Sequence, residues 1–83
     1  MPRYYFDIHD GELLVDDEGT QCADLEAARE KVIVSFQDVG GWITPADGDD
    51  QRVSVTVRDE AGRRVYTGTL TFTGSRLGEP ASS

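Results

Sequence analysis

The chain's only histidine, His9, lies in the stretch MPRYYFDIHDGELLVDDEGT among Asp7, Asp10, Glu12 and Asp16. An imidazole beside carboxylates has the groups for acid–base catalysis or for holding a metal ion. As a transition-metal set it is poor, because one histidine without cysteine partners lacks the nitrogen and sulfur ligands such ions select. Asp10 is committed to a turn, and Asp7, His9, Glu12 and Asp16 are expected together on an exposed polar strand face that needs no ligand to account for it. Asp16-Asp17-Glu18 and Asp47-Gly48-Asp49-Asp50 offer oxygens to a hard cation. Neither has the spacing of an EF-hand loop, and the second lacks the terminal bidentate glutamate. Both read as solvated turns. Cys22 has no histidine nearby in sequence to activate it and reads as a buried small hydrophobe. No catalytic residue, metal site or cofactor is expected, and the chain is not expected to be an enzyme.

The elements that would position these groups follow from turn chemistry and periodicity. Asp10-Gly11 suits a two-residue type I′ turn, which pairs Ile8 with Leu13 and Phe6 with Val15. Side chains alternate along a strand. Tyr4, Phe6, Ile8, Leu13 and Val15 then share one face, and Tyr5, Asp7, His9, Glu12, Leu14 and Asp16 the other. Asp24 reads as a helix N-cap with Glu26 in the first turn. Leu25, Ala28, Val32, Phe36 and Val39 then recur at helical spacing, and Gly40-Gly41 ends the helix. The following loop carries Trp42 and Ile43, which are expected to fold back over the core edge. QRVSVTVRD alternates as a half-buried strand, DEAGR makes a turn with Gly62 in the left-handed position, and RVYTGTLTF returns. With Asp59 opposite Arg63, Val57 faces Val65, and Tyr66, Leu70 and Phe72 fall on the opposite face.

The order is β-β-α-β-β. It predicts an α+β two-layer sandwich: a four-stranded antiparallel sheet with one helix on one face. Residues 1–73 form a single domain, and residues 74–83 a flexible polar tail. Eighty-three residues leave no room for a second core, and a domain this small is a candidate for pairing with itself or a partner. The net charge of −8 disfavours nucleic acid, whose phosphates repel an acidic surface. A single cysteine excludes an intramolecular disulfide scaffold. No run is long enough to span a membrane, and Asp7, His9 and Asp10 interrupt any signal-peptide core, so a cytoplasmic protein is expected.

MPRYYFDIHDGE, DDEGTQCADLEAAR and VRDEAGRRVYT together resemble a family of short bacterial proteins classed as a domain of unknown function. Its members begin M-P-R-aromatic-aromatic-F, then carry D-G, D-x-x-G, D-L-x-x-A-R and a D-E-A-G-R hairpin. The resemblance covers residues 1–39 and 53–67. It implies a free-standing bacterial protein and supplies no activity. In that pattern an apolar residue such as leucine usually stands at the position of Cys22. A shorter resemblance, DLEAAREKV behind a hairpin, is to HicB-type antitoxins, whose appended DNA-binding segment has no counterpart here.

One group of residues points to function. Tyr5, Leu14, Tyr66, Leu70 and Phe72 are expected on the sheet face away from the helix, where a contiguous apolar patch is met either by another chain or by the polar tail or the GGWI loop folding over it. The expected activity is that of a small non-enzymatic binding or assembly module that forms a homodimer or binds an unknown protein partner. The second expectation is a HicB-like antitoxin or acidic regulatory protein that sequesters a basic partner.

Overall fold

The computed structural model describes residues 1–37 and 43–78. Its elements are β1 (Arg3–His9), β2 (Leu13–Leu14), β3 (Thr20–Gln21), α1 (Leu25–Gln37), a 3-10 turn at Pro45–Asp47, β4 (Asp50–Arg58) and β5 (Arg64–Thr73). All the strand pairs are antiparallel. The sheet runs in the order β2-β1-β4-β5, with β3 also on β1. This is an α+β fold, as the alternation and the single helical stripe require. The expected fold-back of Trp42 and the helix end at Val39 and Gly40-Gly41 lie outside the described residues.

The centre of the sheet is β4, whose Gln51, Val53, Val55 and Val57 are buried while the residues between them are not. Each fully buried valine contributes roughly 1.5–3 kcal/mol. Cys22, Ala28, Val32, Val55 and Val57 form the core, with Tyr4, Phe6, Ile8, Phe36 and Tyr66 packed around them. The placement of Cys22 is that of a small apolar residue, 2% exposed. The Asp24 carboxylate accepts the Ala27 N–H at 2.9 Å and caps α1, an interaction worth about 1 kcal/mol. Gly68 lets the helix come down on β5: a Cβ there would stand 3.0 Å from Val32 Cγ1 and 3.4 Å from Phe36 Cε2.

Two registers differ from the sequence expectation. The β1–β2 connection spans Asp10, Gly11 and Glu12, so that Ile8 pairs with Leu14 and His9 with Leu13. A type I′ turn needs φ > 0 at both central residues, but here only Gly11 adopts it (φ +104°), Asp10 remaining at negative φ. The slip of one residue exchanges the faces of Leu13 and Leu14. At the second hairpin Asp59 does oppose Arg63, its N–H donating to the Arg63 carbonyl at 2.9 Å. Next to it the ladder shifts between Val57 and Arg58, so Val57 faces Tyr66 instead of Val65. This bulge leaves Val65 as the extra residue and reverses the face of every later residue in β5.

The segment expected as the second strand is split. Leu13–Leu14 and Thr20–Gln21 both lie on the outer edge of β1, and residues 15–19 loop out between them. Gly19 closes that loop at φ +74°, where a Cβ would come within 2.7 Å of Arg3 Cγ and 2.9 Å of Tyr5 Cε2. Gly62, at φ +84°, has open space around it. Gly62→Ala should therefore cost about 1–2 kcal/mol, the backbone term alone. Gly19→Ala should cost about 2–4 kcal/mol because overpacking adds to it. Urea midpoints of the two variants measure the difference, and equal losses would contradict the close approach at Gly19.

Candidate functional site

The acidic residues of the N-terminal hairpin are consumed by the backbone around them. Between β2 and β3 the outer edge of β1 has no strand beside it, and the Phe6 N–H there is met by the Asp16 carboxylate at 3.1 Å. The other oxygen of Asp16 accepts from the N–H groups of Glu18 at 3.1 Å and Gly19 at 3.0 Å. Asp16 in turn donates its own N–H to Asp7 at 3.0 Å. Asp7 lies on the face away from the helix and is clamped by Arg58, with Nε on Oδ2 at 2.6 Å and Nη2 on Oδ1 at 3.1 Å. Arg58 also donates to the Asp16 carbonyl at 2.9 Å, and its guanidinium lies over the Tyr5 ring, 5.2 Å from the centroid. Carboxylate, guanidinium and ring thereby tie β1, the 15–19 loop and β4 into one network.

Both carboxyls are held below the ordinary carboxylate range. For Asp7 the first cause is the side-chain hydrogen bond from Arg58, against which burial acts. For Asp16 burial pushes upward, but the N–H groups of Gly19, Phe6 and Glu18 together outweigh it. Ionised carboxylates with their lone pairs occupied by N–H donors are neither general acids nor open metal ligands. His9 and Glu12, the other members of the polar cluster, are exposed and take no part in the network. Among the described residues no group of three or more His, Cys, Asp or Glu side chains is placed to hold a metal ion.

The apolar group divides. Leu14 pairs with Ile8, Tyr66 with Val57, Leu70 with Val53 and Phe72 with Gln51, all on the helix side of the sheet. Tyr5 pairs with Arg58 on the other side. The expected single patch is therefore not formed, because the hairpin slip moved Leu14 and the bulge at Val57/Arg58 moved Tyr66, Leu70 and Phe72. Tyr66 packs against the core, while Leu14 is 56% and Phe72 41% exposed. The face away from the helix is polar instead, with hydroxyl pairs Ser54–Thr69 and Thr56–Thr67 at 3.2 Å each.

What remains open lies beside the helix. A cleft of about 240 Å³ separates α1 from β1 and is lined by Phe6, Ile8, Thr20, Lys31, Val32, Ser35 and Val55. Leu14, on the same side of the sheet, is 56% exposed, while Leu13, paired with His9 on the other face, and Val15 in the following loop are exposed too. Two residues of structural weight escaped the sequence reading. Arg58 drew no role from the strand pattern QRVSVTVRD, although its position opposite Tyr5 and beside Asp7 is set by the β1–β4 register. Gln51 read as a strand-opening polar residue, yet it is buried and its amide bonds Thr44 and Gly48, fixing the loop before β4. No local sequence signal marks either, since both depend on contacts made across the chain.

An antiparallel sheet with one helix among the described residues packed on it, and with Asp7 and Asp16 bonded to the backbone of the edge loop, defines a small α+β protein. The chain belongs to a family described as a domain of unknown function, DUF6894, whose model matches residues 3–71. No curated protein and no solved structure matches it. No helix among the described residues is long and apolar enough to cross a membrane.

The depressed carboxyls fix the sign of an acid response. Their stability is fully present above the unfolded value, about pH 4, and is lost as pH falls through the lower folded values. Wild-type stability should fall on acidification below about pH 4. Asp16→Ala strands the N–H groups of Phe6, Glu18 and Gly19, and should cost about 1–3 kcal/mol at neutral pH while flattening the acid limb. His9→Ala should change stability by less than about 0.5 kcal/mol. Urea titrations across pH measure all three, and an Asp16→Ala acid limb as steep as wild type would contradict this network.

Proposed function

We propose that this is a non-enzymatic binding or assembly module, a bacterial cytoplasmic protein that self-associates or docks on another protein. The observation that carries the reading is the apolar surface left over after folding. Leu14 is exposed on the helix side of the sheet, the side that holds the cleft lined by Phe6, Ile8 and Val55, while Leu13, Val15 and, on the helix, Ile33 and Val34 are also exposed. A chain this short buries a smaller fraction of its surface on folding than a larger domain does, and association is one remedy. The engaged carboxylates of Asp7 and Asp16 support a non-catalytic role. The acidic charge supports a protein partner over nucleic acid.

A second reading, an acidic regulatory or antitoxin-like protein that sequesters a basic partner, is favoured by the distribution of charge. Residues 1–50 carry 13 acidic and 3 basic side chains, and such a surface attracts cationic chains in a salt-dependent way. Sedimentation velocity over roughly 5 to 500 µM, where mass action would reveal a weak dimer, tests the first reading. The sedimenting mass should rise from the 9.1 kDa of one chain. A constant monomer would remove self-association, and salt-sensitive binding of an added polybasic peptide would then favour the second reading.

A further inference from the structure

The sheet has two unlike edges. On the β1 side the edge is broken into Leu13–Leu14 and Thr20–Gln21, and the gap is filled by the Asp16 carboxylate on the Phe6 N–H. Such interruption is a common protection against edge-to-edge pairing. On the other side β5 is the last strand and, among the described residues, has no neighbour beyond it. Its backbone polarity follows from the ladder. The Gly74 N–H bonds the Asp49 carbonyl, and the register runs unbroken from Asp50↔Thr73 to Val57↔Tyr66. Antiparallel alternation therefore turns the N–H and C=O groups of Tyr66, Gly68, Leu70 and Phe72 toward β4. Those of Thr67, Thr69, Thr71 and Thr73 point outward. None of the usual guards occurs from Tyr66 to Thr73: there is no proline, no charge, and the register shift lies before this stretch.

The stretch is also close to a palindrome. Tyr66-Thr67-Gly68-Thr69-Leu70-Thr71-Phe72 reads aromatic, threonine, Gly or Leu, threonine in either direction from Thr69. An antiparallel pair about a twofold axis matches such a sequence with itself, as an isologous interface requires. We propose that β5 is the self-association edge: two copies join antiparallel about a twofold axis at Thr69, making one continuous sheet. This rests on the self-association reading above and names both its partner, a second copy, and its register.

In that register Tyr66 faces Phe72, Gly68 faces Leu70, Thr67 faces Thr71 and Thr69 faces its own copy. Aromatic and threonine pairs of this kind stabilise antiparallel sheets, and threonine hydroxyls already pair across β4–β5. A twofold through Leu70 would also bring outward groups together, but it would set Arg64 opposite Arg76. The paired stretch Tyr66–Thr73 itself carries no charge to repel its copy.

Charge reversal at the axis tests this register. Thr69 is exposed, so Thr69→Lys and Thr69→Glu leave the core untouched while bringing like charges to about 5.5 Å Cα separation across the axis. Each variant alone should raise the dimer dissociation constant at least about tenfold, and an equimolar mixture should restore association as a heterodimer. Thr69→Cys should oxidise to a covalent dimer, since paired strands lie within disulfide range. Thr67→Cys should cross-link with Thr71→Cys and not with itself. Buried Cys22 does not compete. Association of Thr69→Lys equal to wild type, or failure of the mixture to recover, would overturn the β5 twofold while leaving self-association standing. A wild-type chain that stays monomeric at every concentration would remove both.

Discussion

The carboxylate of Asp16 fills the one gap in the sheet that no strand fills. Residues 13–21 run back along β1 but cannot pair with it throughout, because the registers at Ile8↔Leu14 and Tyr4↔Thr20 leave more residues on the returning strand than on β1. A buried backbone donor without a partner costs about as much as a lost hydrogen bond. Asp16 meets the Phe6 donor with one oxygen and closes its own loop with the other. Its backbone then positions Asp7 and Arg58, so the same residue couples the edge loop to the central strand β4. The cluster of acids at the N-terminus is thus a joint between strands.

The helix, the alternation of β4 and the turn at Asp59–Arg63 were legible in the sequence because each is set by residues adjacent or nearly adjacent in the chain. Asp24 caps the helix it was expected to cap, and Gly62 takes the left-handed conformation the turn demands. The two registers were not legible. Asp10-Gly11 has the composition of a two-residue turn, but the choice between two and three loop residues rests on which of Leu13 and Leu14 is carried to the helix side. At Val57/Arg58 the bulge sets Tyr66 opposite Val57, where Val65 was expected, and both residues pack against the core. Each error is one residue, and each inverts a face. That is why an apolar patch built from Tyr5, Leu14, Tyr66, Leu70 and Phe72 dissolved although, apart from the split second strand, the strands in it were located as expected.

The short motifs of this chain become intelligible on the same terms. Asp16 and Gly19 are the ends of D-x-x-G, where the aspartate accepts the loop's N–H groups and the glycine fits against Arg3 and Tyr5. Asp24 and Ala28 of D-L-x-x-A-R are a helix cap and a core residue. Asp59 of D-E-A-G-R accepts the N–H groups of Ala61 and Arg63 and pairs with the Arg63 guanidinium. These polar residues bond the backbone of their own turns, so in this chain they serve the fold.

Among the described residues one helix of 13 residues, about 20 Å long, does not cover a sheet of this width, and the sequence deals differently with each part it leaves uncovered. The face away from the helix carries threonine, serine and the Arg58–Asp7 pair, groups that water solvates or that satisfy one another, so it needs no cover. The helix-side face ends in Ile8 and Leu14 near one margin and Phe72 near the other, where apolar atoms stay in contact with water. Gly68 draws α1 onto β5, and the cleft beside β1 remains open as a consequence of that close approach. Folding alone therefore concentrates the unsatisfied surface in two places of opposite character, an apolar cleft beside an interrupted edge and a hydrogen-bonding edge beneath a covered one. A second chain would be recognised at the first by shape and apolar contact, and at the second by backbone pairing.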